Sequence, residues 1–163
     1  MVIVAGVLAD RQGWIFYEGS DLARYQGRRF VVASVVDGDT LDLAIGDGRR
    51  PTTRVRLWGI DTPELGRRGK AAEPFAEQAT QRLAALVTTG PVQVELEAHR
   101  LRDRYGRLLA YIRLPHGEVA NEVLLSEGLA RFDDRWAHRH LNRYARLEEQ
   151  AKNGGQGLWS AKP

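Results

Sequence analysis

The alternation of apolar and polar positions becomes regular at Arg29. Between residues 10 and 28, Trp14, Phe16, Tyr17 and Tyr25 lie among Gly13, Gly19 and Gly27 with no sustained period. From Phe30 the run FVVASVV is β-branched and apolar, DGD is a turn signal, and residues 40–45 alternate as a return strand. Gly46, Asp47 and Gly48 form the next turn. Residues 52–60 then alternate, with Val55 and Leu57 on one face and Arg54, Arg56 and Trp58 on the other. Phe75, Ala79, Leu83 and Leu86 recur at helical spacing, Pro74 suits the first turn of that helix, and Gly90 and Pro91 stop it. Val92, Val94 and Leu96 alternate with Gln93, Glu95 and Glu97 as a half-buried strand. A basic turn, HRLRDRYGR, leads into the strand LLAYIRL, which Pro115, His116 and Gly117 end. A short helix runs through Val119, Val123 and Leu124 to Gly128. Leu141, Tyr144, Leu147 and Ala151 mark a final helix closed by Gly154 and Gly155, with Trp159 as a packing anchor beyond it. Five strands, one helix inserted after the third and two after the last, predict an α+β domain built on a small barrel.

The 163 residues suffice for one domain with a real core. The expected organisation is an N-terminal extension over residues 1–28 and a single domain over 29–163. The net charge is +3, and 21 of the 24 basic residues are arginine. Arginine offers a planar fork of donors suited to phosphate, so an acidic polymer is a reasonable partner, although most of these arginines also read as a solvated surface. The absence of cysteine removes disulfides, thiolate zinc sites and cysteine nucleophiles together. The apolar start MVIVAGVLA is too short to span a bilayer and lacks a basic flank. It reads either as the remnant of a signal or membrane anchor or as an edge strand. Export or membrane anchoring is favoured over a cytoplasmic location.

Two acidic turns carry the chemistry: DGDT at residues 37–40 and IDTPE at residues 60–64, with Arg56 five residues before Asp61. Carboxylates at strand ends beside a fork-shaped cation are what a hard divalent cation and a phosphodiester jointly require. Taken alone, DGDT is more simply a tight turn. Further motifs change that balance. VVDGDT, VRLWGIDTPE, DRYGR, LLAYI, NEVLLSEGLA and EEQAKNGGQGLW follow in this order, and together they closely resemble the staphylococcal nuclease (thermonuclease) family from about Phe30 to Trp159.

The resemblance implies a five-stranded oligonucleotide-binding-type (OB-fold) barrel with three α-helices. It also implies Ca²⁺-dependent endonuclease hydrolysis of DNA and RNA, preferably single-stranded, by a monomer that breaks the bond to the 5′ oxygen and leaves 3′-phosphate ends. By match to the family's motifs, Asp39 and Asp61 are metal carboxylates and Thr62 supplies a backbone carbonyl to the metal, with Asp37 acting through water. Glu64 matches the proposed general base, and Arg56 and Arg107 match the arginines that grip the scissile phosphate. Arg104 and Tyr105 match substrate-binding positions, lysine being more familiar at the first. Gly38 is expected to let the backbone fold back and Pro63 to fix its turn. The chain departs from the family where two tyrosines flank the bound base: it reads FDDRWAHRH, with Asp134 and Trp136 at the matching places. Trp136 offers a stacking face and Asp134 would repel phosphate. Arg67, Arg68 and Lys70, in a loop shorter than in the founding member, are either polymer-steering charges or a solvated loop. None of His99, His116, His138 and His140 is assigned to catalysis. The competing expectations are a catalytically inactive OB-fold nucleic-acid-binding module and a phosphatase using the same groups. Presence of Asp39, Arg56, Asp61, Glu64 and Arg107 together weighs against the first.

Overall fold

The computed structural model describes residues 17–66 and 69–160; the apolar segment 1–9, Trp14, Phe16, Arg67 and Arg68 lie outside the described residues. A helix α1 (Tyr17–Tyr25) comes first, followed by β1 (Arg29–Phe30), β2 (Val32–Asp37), β3 (Thr40–Leu43), β4 (Thr53–Leu57) and β5 (Ile60–Asp61). Then come α2 (Ala76–Val87), β6 (Val92–Glu95), β7 (Leu108–Arg113), α3 (Ala120–Ser126), β8 (Arg131–Phe132), α4 (Leu141–Asn153) and a 3₁₀ turn, Gly157–Trp159.

The main sheet has the order β1-β6-β7-β4-β3-β2, antiparallel except for the parallel pair β4 and β7. Its two outermost strands, β1 and β2, are consecutive in the chain with only Val31 between them. One extended segment therefore pairs with β6 at one end of the sheet and β3 at the other, curling the sheet on itself so that few strand edges are left open. Counting β1 and β2 as one strand gives the five expected, and α2, α3 and α4 are the three expected helices. The short pair β5 and β8, with Ile60 opposite Phe132 and Asp61 opposite Arg131, is an addition that no periodicity announced.

The barrel interior is filled from alternate positions: Leu41, Leu43, Val55, Leu57, Val92, Val94, Leu108 and Ile112 are almost wholly buried. Helix α2 closes one side with Ala76, Ala79, Leu83, Leu86 and Val87. Each large aliphatic side chain so buried contributes about 1.5–3 kcal/mol relative to exposure. The helix starts later than Pro74 suggested, because Phe75 takes a left-handed backbone (φ 69°) as its N-cap and Pro74 precedes it. Buried Asn121 ties α3 to the sheet: its Nδ2 donates to Trp58 O (2.9 Å) and its Oδ1 accepts from Ile112 N (3.1 Å).

The described part of the N-terminal segment does not stand apart from this core. Tyr25 is fully buried, with its hydroxyl 2.9 Å from Thr53 Oγ1. Gly27 N donates to Val94 O (2.8 Å) and Val94 N to Arg28 O (2.9 Å), so the chain after α1 is already laid against β6. Among the described side chains of this helix, packing rests on Tyr25, a half-buried Leu22 and a buried acid, Asp21, so it shows no stripe of aliphatics for periodicity to reveal.

Candidate active site

The residues singled out in the two acidic turns and in the basic turn meet in one cleft of about 460 Å³, lined by Asp37, Asp39, Arg56, Asp61, Glu64, Arg104, Tyr105 and Arg107. Strand pairing brings them together. Thr40 lies opposite Arg56 across β3 and β4, and in the parallel pair Val55 lies beside Leu108. Arg107, the residue before β7, thus comes up alongside Arg56 although 51 positions separate them in the sequence. Gly38 does not need its permissive backbone here, since its φ is not among the positive ones. It is required by close approach: a Cβ would stand 2.7 Å from Thr62 Oγ1 and 2.8 Å from Ala79 Cβ.

That approach lets the two acidic turns grip each other. Thr62 donates from its backbone N (3.0 Å) and from Oγ1 (3.1 Å) to Asp39 Oδ2, and Thr40 Oγ1 donates to Asp39 Oδ1 (3.0 Å). Asp37 Oδ1 accepts from Asp39 N (3.2 Å). Arg56 bridges the turns, paired with Asp39 through Nη1 and with Asp61 through Nη2 at 2.6 Å. Side-chain exposure is 12% for Arg56, 9% for Asp39 and 52% for Asp61, so the pair is buried at one end and open to the cleft at the other. Burial pulls the Arg56 pKa below the usual arginine range and the Arg107 charge adds to this, while Asp61 opposes it. The guanidinium remains a cation.

Among the described residues, no three His, Cys, Asp or Glu side chains gather as a ready metal cage. The carboxylates that line the cleft are those of Asp37, Asp39, Asp61, Glu64, Asp103 and Asp133, and Asp39 and Asp61 are the two that Arg56 brings together. An all-oxygen set of two carboxylates leaving room for water and substrate fits a hard divalent cation and does not fit a soft one. Thr62 touches Asp39 through its amide and hydroxyl. Glu64 is exposed at the cleft, its backbone pinned by Glu73, which accepts from Glu64 N through Oε2 (3.1 Å) and donates from its own N to Glu64 O (3.0 Å).

Arg107 is aimed by a residue that the sequence reading passed over. Asp103 accepts from the backbone N of Tyr105 (2.8 Å) and Arg107 (3.0 Å) with Oδ1 and from Arg107 Nε (2.6 Å) with Oδ2. An Asp opening a tight turn and closing on the residue four later is a local signal present in DRYGR. Arg104 Nη2 donates to the Tyr105 hydroxyl (2.6 Å), and Tyr105 is exposed. Of the opposite wall only Trp136 was expected; Asp133 and Arg135 were missed. The β5 and β8 pairing, continued by Asp133 N donating to Gly59 O (3.0 Å), carries Asp133, Arg135 and Trp136 into the cleft. Arg135 holds Asp133 with two bonds of 2.7 Å. Burial opposes ionisation of Asp133, but Arg135 holds its carboxyl below the usual carboxylate range. The Arg100 guanidinium lies 3.5 Å from the Trp136 ring centre, and Trp136 is half exposed. Asp134 is exposed and is not among the cleft-lining residues. Trp58, expected on the outer face, is buried at the cleft because β4 ends at Leu57 and the turn tucks it edge-on to His99, ring centres 5.6 Å apart.

None of the four histidines lines the cleft. His138 is buried among Tyr111, Phe132 and Tyr144, and its Nδ1 accepts from His140 N (3.2 Å) while Nε2 has no partner among the described residues. It also fixes Gly59, whose φ is +78° and whose Cβ would stand 2.7 Å from His138 Nε2. Burial lowers the His138 pKa from its ordinary 6.5. A buried imidazole with a lowered pKa favours the fold while neutral, and that contribution is complete above the unfolded value. It is lost as pH falls from about 6.5 towards the folded value, where the unfolded chain binds the proton first. The denaturant midpoint is therefore expected to fall between pH 7.5 and 5.5. His138→Asn, whose Oδ1 keeps an acceptor for His140 N, should flatten that dependence; an equally steep fall in the variant would show that His138 does not carry it.

The model of the family described as staphylococcal nuclease homologue matches residues 54–161. The chain is 35% identical over 127 residues to endonuclease YncB of Bacillus subtilis, covering 77% of this chain and 58% of that protein. It is 36% identical over 127 residues to the SPbeta prophage-derived endonuclease YokF of the same organism, covering 77% of this chain and 42% of the relative. To a thermonuclease of Staphylococcus hyicus it is 30% identical over 145 residues, covering 88% of this chain and 83% of the relative. It thus spans about half the length of the two Bacillus proteins and most of the staphylococcal one. With the family model matched through most of the domain that bears the cleft, the chain belongs to the staphylococcal nuclease homologue family.

Proposed function

We propose that this protein is a Ca²⁺-dependent endonuclease that hydrolyses phosphodiester bonds of DNA and RNA and leaves 3′-phosphate ends. The observation that carries the reading is the convergence of Asp39, Asp61, Glu64, Arg56 and Arg107 on one cleft. Asp39 and Asp61, with the Thr62 carbonyl, are the residues to hold the cation, and Asp37 supports them through water. When bound, the cation supplies charge that makes water more acidic and offsets the negative phosphate. Glu64 accepts a proton from the attacking water or orients it in line with the bond to the 5′ oxygen, which breaks. As phosphorus becomes five-coordinate, Arg56 and Arg107 donate to its equatorial oxygens from preorganised positions. Arg104 and Tyr105 bind the adjoining nucleotide, and Trp136 offers a ring face for an unpaired base, which favours single-stranded substrate. A monomer, exported or membrane-anchored, completes the reading.

The test is cleavage of end-labelled single-stranded DNA and RNA with Ca²⁺, with Mg²⁺ and with chelator, reading the end chemistry by phosphatase sensitivity. Ca²⁺-dependent products ending in 3′-phosphate are expected, and activity should vanish with chelator. Binding without cleavage under every cation would leave only a nucleic-acid-binding module.

A further inference from the structure

We infer that Arg102, held by Asp21 and Asp47, is a positioning residue that locks the turn carrying Arg107 onto the barrel; the inference rests on the nuclease reading above. Five hydrogen bonds of the guanidinium tie it to the described residues. It donates to Asp21 from Nε (2.6 Å) and Nη2 (2.9 Å), and to Asp47 from Nη1 (2.6 Å) and Nη2 (3.2 Å). The fifth goes from Nη1 to the carbonyl of Gly106 (2.9 Å), the residue directly before Arg107. A guanidinium offers five N–H donors in a rigid fork, and these bonds draw on all three of its nitrogens.

The three groups come from separate parts of the chain. Asp21 lies on α1, Asp47 in the turn between β3 and β4, and Arg102 at the start of the 103–107 turn. Side-chain exposures are 15% for Arg102, 3% for Asp21 and 9% for Asp47. Two desolvated carboxylates on one cation are a poor way to gain stability alone, since apolar packing of the same volume commonly does as well. What such a fork does supply is a fixed register. Here it fixes the end of an otherwise exposed turn: Arg102 pairs with Leu108 as an antiparallel bridge, Asp103 N donates to Arg107 O (3.0 Å), and Gly106 N donates to Asp103 O (3.0 Å). Within that frame Asp103 holds Arg107 Nε at 2.6 Å. Arg102 thus acts on the cleft through the backbone, and α1 takes part in the site's geometry without reaching it.

The experiment compares the full chain with R102K, R102M and D21N, each with and without R107A, by steady-state cleavage, thermal melting and amide hydrogen exchange. R102M is expected to lower kcat about 10- to 100-fold, the scale of a misplacement of about 1 Å, with KM changing far less. R102K and D21N should fall between R102M and the unmutated chain. In the R107A background the same changes should give no further loss of kcat, because they act through Arg107, while the loss in melting temperature persists. Amides of Tyr105 and Arg107 should exchange faster in all three variants. A lowered melting temperature with unchanged kcat, or losses that multiply in the R107A background, would overturn the inference. If the unmutated chain cleaves nothing, the nuclease reading fails by itself. Exchange then decides the positioning role: unchanged protection at Tyr105 and Arg107 in R102K and D21N overturns it, and faster exchange supports it. R102K and D21N keep every arm readable if R102M does not fold.

Discussion

Glu64→Gln is expected to lower kcat by about 10²- to 10⁴-fold, the range for removal of a general base, with little change in KM or melting temperature. The geometry makes this a clean substitution. Glu64 is exposed at the cleft, and its backbone bonds to Glu73, through N and O, survive any change of side chain. Glutamine has nearly the same shape and can still orient a water, but it cannot take a proton at neutral pH. The size of the loss therefore separates two roles. A loss near the upper end points to proton abstraction, and one near the lower end to positioning of the water. The measurement is kcat and KM on a defined single-stranded oligonucleotide with Ca²⁺ saturating, beside a melting curve for each protein. A rate within a few-fold of the unmutated chain would remove Glu64 from the chemistry and direct the search for a base to Asp61, the other exposed carboxylate close to Arg56.

The strands that build the barrel were legible because each is a short β-branched or aliphatic run, several of them alternating with polar residues, and alternation in residues 52–60 also showed that Arg56 leaves the apolar face. What alternation does not encode is which strands become neighbours. Arg56 and Arg107 share a cleft only because β4 and β7 pair in parallel, with β5, α2 and β6 intervening in the chain. Their convergence was accessible through resemblance to a family and not through periodicity. Asp133 and Arg135 of the far wall were hidden for a related reason, Trp136 having been reached only through the resemblance: β5 and β8 are two residues long, too short to carry a period, yet they deliver all three. Asp103 was in view within DRYGR and was overlooked because its role is satisfied wholly by local hydrogen bonds. Gly38 was rightly marked as necessary, but for its backbone freedom, whereas the packing against Thr62 and Ala79 is what excludes a Cβ. Asp21 and Tyr25 show the converse limit: a segment without period can still be packed when a single buried ion cluster and one aromatic replace an apolar stripe.

Arg56→Ala should have the largest combined effect on rate and stability. On the rate, it removes one of two forks aimed at the equatorial phosphate oxygens, a loss of about 10²–10³ in kcat. On stability, it strips Asp39 of its buried cation and leaves that carboxylate to Thr62 and Thr40 alone. Breaking a fully buried pair from one side costs about 3–5 kcal/mol. Because the Asp61 end is half open to solvent and screened there, a smaller cost, about 2–3 kcal/mol, is the expectation. The sign of a cation's effect then discriminates between models of the site. With Arg56 gone, Asp39 and Asp61 lose the cation that bridges them, and a hard cation that binds both restores part of the lost stability by linkage, about 2.7 kcal/mol at a hundredfold excess over its Kd. Melting of Arg56→Ala is accordingly expected to rise with added Ca²⁺ more steeply than that of the unmutated chain, while cleavage stays low. Arg56→Lys, which keeps one charge but cannot fork across both carboxylates, should recover more of the stability than of the rate. If Ca²⁺ leaves the melting temperature of Arg56→Ala untouched, Asp39 and Asp61 do not share a cation, and the assignment of the metal to this pair falls even if cleavage itself proves cation-dependent.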